Sequence, residues 1–134
     1  AIDHPERLLS LASVMSTTGD RNVGHPTPEA IAVLMSAPPR DRDGYVASTV
    51  TARGVIGPQP PDLERTRDLA ARAYARGYPP GGTARQFAAI TAAPDRTPEQ
   101  AAVGAPTVVI HGRDDPLIGV SGGEATAAAI PPQR

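Results

Sequence analysis

Two short apolar stretches, separated by a long run of helix-forming sequence, constrain the fold of this chain more than any other feature. The second is the clearer. Pro106-Thr107-Val108-Val109-Ile110-His111 is β-branched and stops at Gly112-Arg113-Asp114-Asp115-Pro116, a polar turn. The first, Leu8-Leu9-Ser10-Leu11-Ala12-Ser13-Val14-Met15-Ser16, is rich in small residues and mostly apolar. It has the pattern of a strand buried in a parallel sheet, although so few residues also fit a helical period. The order of elements suggests an α/β sheet with a helical excursion between two neighbouring strands.

The excursion is punctuated like a series of helices. Ser16-Thr17-Thr18-Gly19-Asp20 leaves the first strand as a loop. Thr27-Pro28-Glu29 is a helix start, with Thr as N-cap, Pro at the first helical position and an acid in the first turn. That helix runs to about Ser36 and ends at Pro38-Pro39, and a second covers Asp41 to Val55 before Gly57-Pro58. Asp62 caps a third, with Leu63, Ala70, Ala73 and Tyr74 on one face. Its Asp68 and Arg72 make an i, i+4 pair worth about 0.3–0.5 kcal/mol. Gly77 and Pro79-Pro80-Gly81-Gly82 close it, and Thr83 to Ala92 makes a fourth. Thr97-Pro98-Glu99-Gln100 reads as a capping box for one more short turn, and a last helix is expected from Gly122 to Ile130. The proline-rich stretches Pro38-Pro39-Arg40 and Pro58 to Pro61 read as connectors.

Composition narrows the function classes. With 134 residues, 40% hydrophobic, 20% charged and a formal net charge of −1, the chain reads as an ordinary globular sequence. That balance offers no electrostatic reason to expect nucleic acid or an anionic membrane as partner. No apolar run reaches the length of a membrane span, and the N-terminus lacks a signal-peptide layout; a cytoplasmic location is the expectation, read from an N-terminus that starts mid-pattern. Without cysteine there is no disulfide, thiolate metal site or cysteine nucleophile. The three histidines, His4, His25 and His111, have no ligand spacing among them, so neither a metal nor a cofactor is expected. Two strands and a handful of helices do not readily make a stable doubly wound domain, because parallel strands need cover and neighbours on both sides. The organisation is that of part of a larger α/β domain.

Several residues compete for chemical roles. Gly119-Val120-Ser121-Gly122-Gly123 matches the G-x-S-x-G nucleophile elbow formally. An elbow puts its serine directly between strand and helix, whereas here the strand ends at His111, and no Asp or His follows Ser121. Ser121 and Glu124 fit a capping box in front of Ala125-Thr126-Ala127-Ala128-Ala129-Ile130 better. His111 could be a catalytic base, but a strand-end side chain packing or hydrogen-bonding near the turn is the simpler reading. His4 and His25 lie in loop-like settings. Tyr45, Tyr74 and Tyr78 fall among the helices, where packing with a surface hydroxyl is the ordinary role. Asp114 and Asp115 compete for the role of an acid, with Asp115 preferred and Asp114 then its solvated neighbour, unless Gly-Arg-Asp-Asp-Pro is merely a turn favoured by local hydrogen bonding.

Three stretches together resemble the α/β-hydrolase fold family. His4-Pro5-Glu6-Arg7-Leu8-Leu9-Ser10-Leu11 is similar to the end of the helix after the nucleophile elbow, running into the next core strand. Pro106 to Leu117 is similar to the strand and turn that present the catalytic acid, and the helices between resemble the cap inserted there. Ser16-Thr17-Thr18-Gly19 and Gly82-Thr83-Ala84-Arg85-Gln86 look like serine esterases of the aclacinomycin methylesterase-like group. The resemblance implies a partial α/β-hydrolase, with two core parallel strands at about 9–15 and 106–111 and a helical cap between them. It divides the chain into a core strand segment at 1–18, a cap at 19–102, and a second core strand, acid turn and helix at 103–134. In that family the order is Ser, then Asp or Glu, then His. Asp115 falls where the acid belongs, and its role would be to orient and stabilise the catalytic imidazole. The implied activity is carboxylic ester hydrolysis on a small-molecule ester, with the nucleophile and the catalytic histidine outside these residues. An epoxide hydrolase or dehalogenase of the same fold, with an aspartate nucleophile and cap tyrosines polarising the substrate oxygen, is one alternative. A non-catalytic fragment or binding module is the other.

Overall fold

The computed structural model of the chain describes residues 1–132. It is a mixed α/β structure in which two parallel strands, β1 (Leu11–Val14) and β2 (Thr107–Ile110), form one sheet. Six α-helices are described: α1 (Pro28–Leu34), α2 (Arg42–Ile56), α3 (Leu63–Arg76), α4 (Gly82–Ala92), α5 (Thr97–Gln100) and α6 (Val120–Ala129). Gln133 and Arg134, at the end of the expected last segment, lie outside the described residues. Among the described residues no helix is long and apolar enough to cross a membrane.

The strands are shorter than the apolar stretches that signalled them. Leu11 pairs with Thr107 and Val14 with Ile110, and the ladder is extended by the Leu11 amide on the Pro106 carbonyl and the Met15 amide on the Ile110 carbonyl, both at 2.9 Å. Met15 then turns to φ 48°, a left-handed conformation uncommon outside glycine, and β1 ends there. Leu9, 94% exposed, lies outside the strand.

Both strands alternate between partly covered and exposed residues, which corrects the expectation of a buried first strand. Side chains alternate across a sheet with a period of two. Leu11, Ser13, Thr107 and Val109 therefore share the covered face, and Ala12, Val14, Val108 and Ile110 the open one. A two-stranded parallel sheet has too few covering helices for both faces.

The chain divides into two compact units. One holds the sheet and comprises residues 1–27 with those from 93 onward, and the other is the helical unit Pro28–Ala92. Residues 19–27 and 93–102 thus belong with the sheet rather than with the helices between the strands. The reason is visible at Thr18, fully buried, whose carbonyl accepts the Arg96 amide at 3.0 Å. Beside it, Gly19 has φ 97°, and a Cβ there would meet the Pro94 carbonyl oxygen at 2.5 Å. Only glycine allows the two segments to approach so closely.

Short-range signals account for the starts of α2 and α3. Asp41 and Asp62 cap α2 and α3, their carboxylates accepting the amides of Gly44 (2.8 Å) and Arg65 (2.9 Å). The Asp68–Arg72 pair closes at 2.6 Å on the exposed face of α3, opposite the buried Thr66 and Ala70. The capping box expected at Thr97 is absent. Arg96 is the N-cap without a side-chain bond, and Asp95 Oδ1 accepts both the Thr97 amide (2.9 Å) and the Thr97 hydroxyl (2.6 Å). Those two bonds, the hydroxyl's first, hold the Asp95 carboxyl below the usual aspartate range.

Candidate functional site

The segment leaving β2 folds back on itself around one carboxylate. After His111 the chain turns at Gly112, and the Asp115 amide donates to the Gly112 carbonyl at 3.3 Å. Asp115 Oδ1 then accepts two backbone amides, Leu117 at 2.9 Å and Ile118 at 3.0 Å. This is the local capture of backbone donors for which aspartate is favoured in turns. The other oxygen, Oδ2, has no hydrogen bond among the described residues. His111 Nε2 lies 3.9 Å from it, beyond hydrogen-bond reach. The Asp115 side chain is 13% exposed, whereas Asp114 is exposed.

His111 is a brace for this turn. Its side chain is only 6% exposed, and Nε2 lies 2.7 Å from the Ile118 carbonyl oxygen, which can only accept, so Nε2 carries the proton. Nδ1 is buried without a hydrogen-bond partner among the described residues. Imidazole and carboxylate therefore grip neighbouring atoms of one residue: His111 donates to the Ile118 carbonyl while Asp115 accepts from the Ile118 amide.

Helix α6 seals the other side of the imidazole, and here the G-x-S-x-G-like sequence has its explanation. A Cβ on Gly123 would fall 2.5 Å from His111 Nδ1 and 2.8 Å from Cγ. One on Gly122 would fall 3.1 Å from the Thr17 Cβ and 3.2 Å from the Gly24 Cα. The two glycines are buried and let α6 lie directly on the end of β2 and on the loop after β1. Ser121 is not the expected helix cap. α6 begins two residues earlier than expected, at Val120 after Gly119, without a side-chain cap bond, and the Ser121 hydroxyl accepts the Gly24 amide at 2.9 Å. The turn is tied a second time to the same loop, by the Thr27 amide on the Pro116 carbonyl at 2.8 Å.

Of the other candidates, His25 lies in the loop against Gly119, and the three tyrosines lie in the helical unit. His4 and His25 are exposed, and His4 Nδ1 is 3.7 Å from Glu6 Oε1. Tyr45, Tyr74 and Tyr78 do come together within the helical unit, with ring centroids 4.7 to 5.7 Å apart. Thr17 Oγ1, buried without a hydrogen-bond partner beside Gly122, is a feature that the sequence offered no signal for. The glycine pair at 122–123 was a signal of close helix packing that the serine motif obscured.

Chemically, the turn offers one fixed carboxylate with an unengaged oxygen at the carboxyl end of a parallel strand. Such an oxygen can accept a proton-bearing nitrogen and stabilise a developing positive charge. No family model and no curated protein matches the chain.

Proposed function

We propose that this chain is the acid-bearing and cap-bearing part of an α/β-hydrolase that cleaves carboxylic esters. The observation that carries the reading is the division of labour at Asp115. Oδ1 is fastened by the Leu117 and Ile118 amides, and Oδ2 has no hydrogen bond among the described residues. A triad acid needs both features: a fixed carboxylate, and an oxygen left over for the imidazole N–H. In this reading a serine attacks the ester carbonyl, a histidine takes the serine proton and returns it to the leaving alcohol, and Asp115 holds the imidazole in the required tautomer. The helices between the strands serve as the cap that excludes water and selects the ester. Serine and histidine come from outside these residues. Ser121 and His111 are engaged with the Gly24 amide and the Ile118 carbonyl, which argues against either as nucleophile or base.

The test is a fluorophosphonate label together with short-chain p-nitrophenyl ester turnover, applied to the full polypeptide that carries this chain. The expected result is labelling, with kcat reduced about 10⁴-fold in Asp115→Asn. Turnover without labelling would move the reading to an aspartate nucleophile, as in epoxide hydrolases and dehalogenases. Neither labelling nor turnover would leave a non-catalytic module. The commitment of both Ser121 and His111 to backbone partners favours that second reading for the 134 residues by themselves.

A further inference from the structure

The helical unit contains a cleft of its own, lined only by residues of that unit. It has a volume of about 460 Å³ and is walled by the end of α1, one stripe of α2, the connection before α4 and one face of α4. Small-molecule sites fall at roughly 300–1,000 Å³. Met35, Tyr45, Ile56, Tyr78, Phe87 and Ala88 represent its lining, and every residue of the lining is uncharged. Two further clefts of this unit contrast with it: one contains Arg53, Asp62 and Arg65, another Arg42, Asp43, Arg67 and Asp68. In a chain with 20% charged residues, a wall without a single one sets the chemistry of what can enter. An ion would lose its hydration and gain no partner.

The shape of the wall narrows the class further. Tyr45 and Tyr78 are held with ring centroids 4.7 Å apart, and prolines 38, 39 and 80 stiffen the rim. Ser48 and Thr49 both spend their hydroxyl protons on the Tyr45 carbonyl, and Ser36 on that of Val33. The hydroxyls of Tyr45, Tyr78 and Thr83 have no hydrogen-bond partner among the described residues. Flat, polarisable aromatic and proline faces with a few unspent hydroxyls suit one kind of occupant. We propose that this cleft binds a neutral aromatic small molecule carrying at most a hydroxyl or carbonyl group. The site is independent of the reading of Asp115, since no step of ester cleavage is needed to occupy it.

The chain is well suited to a test by magnetic resonance. It has two methionines and one phenylalanine. Met35 and Phe87 line the cleft while Met15 does not, and Met15 (51% exposed) and Met35 (62%) are comparably open to solvent. Naphthol is titrated into protein carrying isotope-labelled methionine methyls and a fluorinated phenylalanine. The expected result is saturable movement of the Met35 and Phe87 signals with Met15 unmoved, and binding about tenfold weaker for naphthoate and for naphthylmethylammonium. Ala88→Glu, at an exposed position of α4, abolishes the response with the circular dichroism unchanged; Ala84→Glu on the same face serves if that variant fails to fold. Parallel movement of both methionines, equal binding of the charged analogues, or an unaltered response in a folded glutamate variant would overturn the proposal. So would a Met35 signal that shifts with protein concentration alone, since the cleft would then belong to a second copy of the chain.

Discussion

His111 Nε2 stands 3.9 Å from Asp115 Oδ2 because the same nitrogen is held 2.7 Å from the Ile118 carbonyl. The two side chains clamp the peptide groups of one residue, one as donor and one as acceptor, instead of pairing with each other. The clamp leaves Oδ2 without a hydrogen bond among the described residues and braces the acid turn through both the amide and the carbonyl of Ile118. Its energetic content can be read without reference to any reaction.

Asp115→Ala leaves the part-buried Leu117 and Ile118 amides without their acceptor, at a cost of about 1–3 kcal/mol. Asp115→Asn retains an oxygen in the same place and costs clearly less. Denaturant midpoints of the two variants give the comparison. Equal losses would mean that the charge, and not the acceptor geometry, holds the turn.

Gly123→Ala forces a methyl against the His111 ring, where the nearest atom would be 2.5 Å away, and overpacking of this kind costs about 1–3 kcal/mol. Gly54, inside α2 with nothing within 4 Å of a Cβ, responds in the opposite sense. Gly54→Ala gains up to about 1 kcal/mol from helix propensity. Thermal melts of the pair separate glycine needed for close approach from glycine that is merely present.

Ser121→Ala removes the acceptor of the Gly24 amide and costs about 0.5–1.5 kcal/mol. Glu124→Ala changes stability by no more than about 0.5 kcal/mol, because Glu124 makes no cap bond. A capping box would make the two losses comparable, so equal destabilisation in urea would restore it.

Asp95 has a carboxyl held below the usual aspartate value by the Thr97 hydroxyl and amide. A depressed folded-state value means that its stabilising contribution is complete above the unfolded-state value and is lost as pH falls through the folded one. Its carboxyl carbon resonance is expected to titrate below the ordinary aspartate range, and Thr97→Ala to bring the midpoint back up. A midpoint unmoved by Thr97→Ala would assign the shift to something other than that hydroxyl.

Helix ends were legible where the partners lie within a few residues. Asp41 and Asp62 cap amides three residues on, and the Asp68–Arg72 pair spans one turn. The same logic failed at Thr97, where Asp95, two residues before, outcompetes the helix for the threonine amide and hydroxyl. It failed again at Ser121, whose partner Gly24 lies 97 residues away in the chain.

By itself the sequence determined the mixed α/β character, two strands with helices between them, and a carboxylate immediately beyond the second strand. These follow from local periodicity, β-branching and turn chemistry. Tertiary structure alone decided the register of the parallel pair and its one open face, that residues 19–27 and 93–102 belong to the sheet unit, and that α6 lies on His111 through Gly122 and Gly123. It also decided which oxygen of Asp115 is spent and which is left, and gathered an uncharged cleft from α1, α2 and α4. Each of these depends on atoms brought together from distant parts of the chain, and no pattern within one segment records which distant atoms will meet.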